Sequence, residues 1–224
     1  MQPAVTRATK DRILAAASEL FAERGFHGTT IREIAERAGA NVASGNYHYG
    51  SKKALYLEVL RAQFGDIRAE LARRGASRPA SELAHLGRED LVRLLRSRVQ
   101  VMLDLLLGPP PGLHGILMQR EMCDPSEALP VIVEEFVVPM MGELAEIVAH
   151  LFPALDRAAI ERCIFSITGQ AHMYHFAMPA LLHMRGWTAY PPGFTRELAE
   201  HITAFSLGGM ERVAARGKRR RHAG

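Results

Sequence analysis

Few side chains in this 224-residue chain could do chemistry, and they are scattered. His172 and His175 stand three apart, a spacing that brings two imidazoles toward one helical face. A metal needs further convergent ligands, and no cysteine or carboxylate sits at ligand spacing beside them, so they read as structural or interface histidines. No metal site and no cofactor are expected. Cys123 and Cys163 lack a flanking basic cluster that would lower a thiol pKa, and both are expected as buried, inert thiols. Arg120-Glu121 reads as an internal ion pair or as a ligand clamp. No G-x-S-x-G elbow, P-loop, paired metal motif or dinucleotide fingerprint appears, so an enzyme is not expected. The polar run Asn41, Ser44, Asn46, Tyr47 and His48 is different, because its donors and acceptors suit the base edges of duplex DNA.

Such a run needs elements to hold it. Ile13, Leu14, Ala17, Leu20 and Phe21 fall at helical spacing within 7–24, and Gly25 supplies a stop. Thr30 stands three residues before Glu33, the spacing of a capping box, and Ile31, Ile34 and Ala35 form one apolar face. Gly39 ends that short helix. A third fits 41–48, with Ala40 and Tyr49 as inward anchors. A fourth starts near Lys52, with Leu55, Tyr56, Val59 and Leu60 on one side. After a polar connector at 76–87, helices fit 88–107 and 113–122. Ser126 can cap another, which Pro139 should kink, and further helices fit 156–184 and 194–213. No long run alternates with period two. The expected fold is all-α with about nine helices: an N-terminal three-helix helix-turn-helix domain and a helical C-terminal body.

Composition agrees. Hydrophobic residues make up 48% and charged residues 23%, which excludes a mainly disordered chain. Two cysteines cannot frame a disulfide scaffold, and the N-terminus has no apolar core of signal-peptide length, so a cytoplasmic protein is expected. Residues 163–184 contain no Asp, Glu, Lys or Arg, yet three histidines, Gln170 and Pro179 make poor membrane material, so a core or interface helix is expected. Charge is uneven. Residues 1–60 hold 8 basic and 6 acidic side chains, 61–211 hold 14 and 18, and 212–224 hold six basic and no acidic ones. A basic front, an acidic body and a basic tail suggest an anionic partner met at the ends. The expected divisions are 1–52 for DNA binding (helix-turn-helix about 30–49), 53–211 for an effector and dimerisation body, and 212–224 for a disordered basic tail.

The run Arg12-Ile13-Leu14-Ala15-Ala16-Ala17 to Leu20-Phe21, with Gly25-Phe26, Thr29-Thr30-Ile31-Arg32-Glu33-Ile34-Ala35, Ala38-Gly39, Tyr47-His48-Tyr49 and Ser51-Lys52, resembles the tetracycline-repressor (TetR) family of bacterial regulators. Asn41-Val42-Ala43, Asn46-Tyr47-His48-Tyr49-Gly50-Ser51-Lys52, Met118-Gln119-Arg120-Glu121-Met122, Pro125-Ser126 and Gly169-Gln170 resemble its branch named for cefoperazone and chloramphenicol sensitivity. The resemblance implies that Thr30 binds phosphate at a helix N-terminus and that Arg32 meets phosphate or a base edge. Val42, Ala43 and Ser44 would face the bases. Asn46 would read adenine or bond phosphate, Tyr47 and His48 would contact the backbone, and Lys52 would hold phosphate. Gly45 stands where the family commonly has an apolar residue, which implies a recognition helix loosely formed until bound.

The resemblance also implies a homodimer through about 156–184 and 194–213, a palindromic operator, and a small hydrophobic effector that releases the repressor. Eight of the ten methionines lie between Met102 and Met184, and such pliable side chains suit either an apolar pocket or core filling. The candidate pocket residues are Met102, Met118, Met122, Phe136, Met140, Phe165, Gln170, His172 and Met173. The competing function is a ligand-independent architectural DNA-binding protein held on by its basic tail.

Overall fold

The computed structural model describes residues 3–41, 49–108 and 113–222, and the side chains of these except 3–6, 113–114 and 217–222. It divides into two compact units, 1–66 with 112–137, and 67–111 with 138–224. The first unit is therefore discontinuous and larger than the expected 1–52.

In that unit α1 (Pro3–Arg24) lays Ile13, Ala17, Leu20 and Phe21 into the core at three- and four-residue spacing. It stops at Gly25, whose φ of 74° only glycine adopts cheaply. Helix α2 (Ile31–Arg37) contributes Ile34 and Ala35 and packs across α1. Its end is a Schellman turn: Gly39 has φ 58°, its N–H reaches the Glu36 carbonyl at 3.1 Å, and the Ala40 N–H reaches Ala35 at 2.9 Å. Helix α3 (Lys52–Arg73) begins in this unit and buries Leu55, Tyr56, Val59 and Leu60. Phe21 sits edge-on to Tyr56 with ring centres 4.8 Å apart.

Two further segments complete the unit. Helix α5 (Leu113–Cys123) packs Leu117 and Glu121 inward against α1. A single turn, Leu129–Ile132, then widens into the π-helical turn Val133–Val137. The wide turn stands where Pro139 was expected to kink a helix. Proline has no N–H for the carbonyl of Glu135 four residues back, and the backbone loosens there rather than bending sharply. Phe136 of this turn stacks on Phe64 at 4.3 Å, and Glu135 takes both arms of Arg61 at 2.9 and 3.0 Å.

The second unit is a helical bundle. Helix α4 (Arg88–Leu107) packs against α6 (Val138–Leu151), α7 (Arg157–Phe176) and α9 (Phe194–His222). Leu91, Leu95, Val99 and Leu103 meet Ile147, Val148, Ile164, Ile167, Ala199 and Ile202 in one core. Buried Arg98 donates to Glu143 at 2.8 Å and to the carbonyls of Ala76 and Met140 at 3.3 Å, so the charge enters the core fully paired. Asp156 caps α7 by accepting the Ala159 N–H at 2.7 Å. The single helix expected over 156–184 is broken at Ala177, and α8 (Met178–Arg185) starts afresh with Pro179 in its first turn. Its ring would clash with the His175 carbonyl in an unbroken helix. Helix α9 runs to His222, where a disordered tail was expected. Alanine, arginine and lysine favour helix, and extending a packed helix avoids the cost of nucleating one.

Candidate nucleic-acid interface

Thr29 and Thr30 divide the labour at the start of α2. Thr29 is buried, and its hydroxyl serves the carbonyls of Leu20 and Gly25 at 3.2 and 2.8 Å. Thr30 is exposed and caps the helix. Its hydroxyl and N–H donate to the Glu33 carboxylate at 2.7 and 2.9 Å, and the Glu33 N–H donates back at 3.2 Å. The carboxylate also meets Arg24 at 2.8 Å. Both Thr30 donors offered to a phosphate are thus held by an internal anion. Hydrogen bonds from the Thr30 hydroxyl and then its backbone hold the Glu33 carboxyl below its ordinary range. A lowered carboxylate pKa means support that is complete above the unfolded value near 4.3 and fades as pH falls through the folded one. Protection factors at Ile34 and Ala35, taken against the intrinsic exchange rate at each pH, should therefore fall on acidification before the rest of the unit melts, and Glu33→Gln should remove that step. Simultaneous loss of all protection on acidification would refute it.

Arg32 lies on the outer face of α2, 79% exposed, and pairs with Glu36 at i,i+4 across 2.9 Å. Such a pair costs little to open, so the guanidinium is available to a phosphate. Lys52, expected to hold phosphate, is engaged within the chain. Its ammonium turns inward and donates to the carbonyls of Phe26 and Thr29 at 2.9 and 3.1 Å, with the Phe26 ring 4.3 Å beneath it. It closes the link between α1 and α2 because the C-terminal carbonyls of that link lack helix donors. Lys52→Met should cost about 1–3 kcal/mol in urea unfolding, the scale for charged hydrogen bonds lost from a partly buried site. A change within about 0.3 kcal/mol of zero would show that the clamp is ornamental.

Val42, Ala43, Ser44, Asn46, Tyr47 and His48 lie outside the described residues. The two expected anchors, Ala40 and Tyr49, are described. Ala40, after the Gly39 turn, is half-buried, and Tyr49 is buried, as its spacing suggested, with its hydroxyl on the Lys10 carbonyl at 3.2 Å. Burial chiefly, then Glu58 and Asp11, push the Tyr49 hydroxyl up to about 12. Arg12, which sequence reading passed over, donates to the Ala38 carbonyl at 3.1 Å and so steadies the end of α2.

Arg120 and Glu121 do not pair with each other, because adjacent helix positions point apart. Arg120 donates to the carbonyls of Ala22 and Glu23 at 2.6 and 2.5 Å, capping the end of α1. Glu121 is buried and accepts from the Tyr56 hydroxyl at 3.0 Å and from the N–H and hydroxyl of Ser126 at 2.9 Å. Beside them is a cleft of about 90 Å³ lined by Gly25, Phe26, Tyr56, Arg120, Glu121, Cys123 and Asp124. Cys123 is exposed, against expectation, whereas Cys163 is buried and its thiol is pushed up by that burial.

The candidate pocket residues are divided between the two units. Met118, Met122 and Phe136 belong to the first unit and the other six to the second. Met122 is exposed and Phe136 is occupied by Phe64. Phe165, His172 and Met173 lie on the exposed face of α7. Gln170 bridges to Ser206 of α9 at 3.3 Å, Met102 packs against the bundle core, and Met140 is half-buried. Helical spacing gives a face but not the direction it turns. His172 bonds its own helix at Thr168, while His175 meets the Leu106 carbonyl at 2.9 Å. Among the described residues no three His, Cys, Asp or Glu side chains are placed to hold a metal.

A capped short helix, a left-handed glycine turn, a buried tyrosine beyond the next segment and an all-helical body define a helix-turn-helix DNA-binding regulator. Comparison with known proteins narrows the class. Residues 13–59 match the model of the bacterial regulatory proteins of the tetR family, and residues 88–210 match the C-terminal domain of the HTH-type transcriptional dual regulator CecR. The chain belongs to the TetR family, with a CecR-type C-terminal domain. CecR of Shigella flexneri is 28% identical over 203 residues, 87% of each chain. RutR of Escherichia coli K12 is 48% identical over 54 residues, 24% of this chain and 26% of its own. HlyIIR, a hemolysin II transcriptional regulator, superposes with TM-score 0.61 at 24% identity over 89% of this chain and 97% of its own. A regulator from Rhodococcus sp. Rha1 gives 0.63 at 18%, over 89% and 96%. These two show the fold. The protein is a transcriptional regulator rather than an enzyme, and regulators of this family bind DNA and are dimeric, with small-molecule effectors. No helix among the described residues is long and apolar enough to cross a membrane.

Proposed function

We propose that this chain is a homodimeric repressor that holds a palindromic operator through two recognition helices and lets go when a small hydrophobic effector enters its second unit. The observation that carries the dimer is the outer face of α7 and α9. Phe165, Met173, Phe176 and Phe205 are 60%, 58%, 64% and 67% exposed along it. Gly169, Gly208 and Gly209 interrupt the same two helices, and a Cβ at any of them would meet nothing within 4 Å in this chain. A helix-interior glycine costs about 1 kcal/mol against alanine, so three of them, with no neighbour of their own needing the space, suit the close approach of a second subunit. Two helices from each subunit close a two-fold four-helix bundle. The pair can then set recognition helices about 34 Å apart, one turn of duplex, as a palindrome requires.

For the effector, support comes from the half-buried end of the bundle. Met102, Tyr174, Met178, Tyr190 and Phe194 pack against the core without being sealed in it. Trp187, the one tryptophan of the sequence, lies edge-on to Phe194 at 5.6 Å. Titrating a panel of hydrophobic drugs should shift Trp187 emission with the same compound that lifts a footprint from the promoter of its own gene. An effector acts only through its differential affinity for the DNA-bound and free shapes, so the two effects must share one concentration dependence. Equal protection of scrambled and promoter DNA, untouched by any compound that shifts the emission, would favour the architectural reading.

A further inference from the structure

We propose that the end of α9 is a second duplex-DNA contact, blind to sequence and separate from the helix-turn-helix. The packed part of this helix finishes at Met210 and Ala214, yet the helix continues to His222. Over that extension the sequence places Arg212, Arg216, Lys218, Arg219, Arg220 and Arg221 and no acid before the end at Gly224. Glu211, the last acid, is held by Arg88 at 2.7 Å. Without these thirteen residues the chain has 22 basic and 24 acidic side chains, so the extension alone reverses its sign.

The spacing is that of a linear polyanion. At 1.5 Å rise per residue, positions 212–221 span about 15 Å, one cation per ~2.5 Å. Duplex DNA carries one phosphate per ~1.7 Å of axis. Cations three and four apart on a helix repel one another, a cost that an aligned row of phosphates removes. A lipid surface fits less well. An interfacial helix needs an apolar face, and the extension offers only Val213, Ala214, Ala215 and Gly217 among its cations, with Ala214 already buried in its own unit.

The test uses the full chain with Arg212, Arg216, Lys218, Arg219, Arg220 and Arg221 all changed to glutamine, which keeps helix propensity and removes charge. Fluorescence anisotropy is read on scrambled duplex and on the promoter fragment of its own gene, across salt. Affinity for scrambled duplex should fall at least about tenfold at low salt, and the log–log salt slope should flatten by about 0.9 for each cation lifted from a phosphate. Preference for the promoter fragment should rise, since only the sequence-blind part is lost. An unchanged slope and affinity on scrambled duplex overturns the proposal. So does tail-dependent capture by phosphatidylserine vesicles with DNA affinity unmoved. A parallel Asn46→Ala, Ser44→Ala chain separates the two readings. It should lose promoter preference and keep the tail's salt-dependent binding, whereas failure of the operator reading would leave even the unaltered chain without preference.

Discussion

Changing Phe205 to aspartate is expected to give a folded monomer with operator affinity reduced at least about 100-fold. The ring is exposed in the single chain and stacks on His201 of its own helix, 6.1 Å away. Phe205 is not part of the second unit's core, to which α9 contributes Leu198, Ala199 and Ile202. In the proposed dimer the same position would lie between subunits, and an aspartate there would be buried against apolar surface. Operator binding depends on two linked half-site contacts, and unlinking them costs about 10²–10⁴ in avidity. Sedimentation with gel shifts on the promoter fragment checks both halves, and thermal unfolding of the variant shows that the chain is intact. A dimer that persists with undiminished affinity would mean that the apolar face belongs to some other association.

The second large effect is expected at Glu121. Truncation to alanine should destabilise the first unit by about 2–4 kcal/mol, the scale for stripping partners from buried donors. The carboxylate is the acceptor for Tyr56, for the Ser126 N–H and for the Ser126 hydroxyl, all buried, and alanine leaves all three facing apolar surroundings. Burial and then Glu121 push the Tyr56 hydroxyl well above the ordinary tyrosine value, which keeps it protonated as the donor. A raised pKa places this stabilisation below the unfolded value near 10, with loss as pH climbs past it. Glu121→Gln should cost less, since its amide oxygen can still accept. Urea unfolding of the two variants gives the comparison. Equal stability of Glu121→Ala and the unaltered chain would mean that the three groups find other partners.

The sequence made some of this plain because the signals were local. Thr30 with Glu33, Gly39 after Arg37 and the apolar spacing of α1 each depend on neighbours within about one helical turn, and the structure places each where its spacing indicated. What depended on distant neighbours was hidden. Lys52 bonds carbonyls 23 and 26 residues away, and Arg120 reaches back 97 and 98. A basic residue in a string carries no mark of whether it meets a phosphate or an orphaned carbonyl. Methionine carries a related ambiguity, since it fills cores, seams and exposed interfaces alike. Proline was half-read. Pro139 marks a disturbance but not its π-helical form, and Pro179, poor membrane material by type, also ends a helix.

The DNA-reading unit is assembled from two stretches of chain, the second being 112–137 with Leu117, Glu121, Ile132 and Phe136 at its centre. Anyone wishing to transplant this protein's operator preference onto another regulator must therefore carry both pieces. A chimera that takes the first sixty-odd residues alone would inherit Tyr56 and Phe64 without the surfaces that complete them, and the donor head would arrive unfinished.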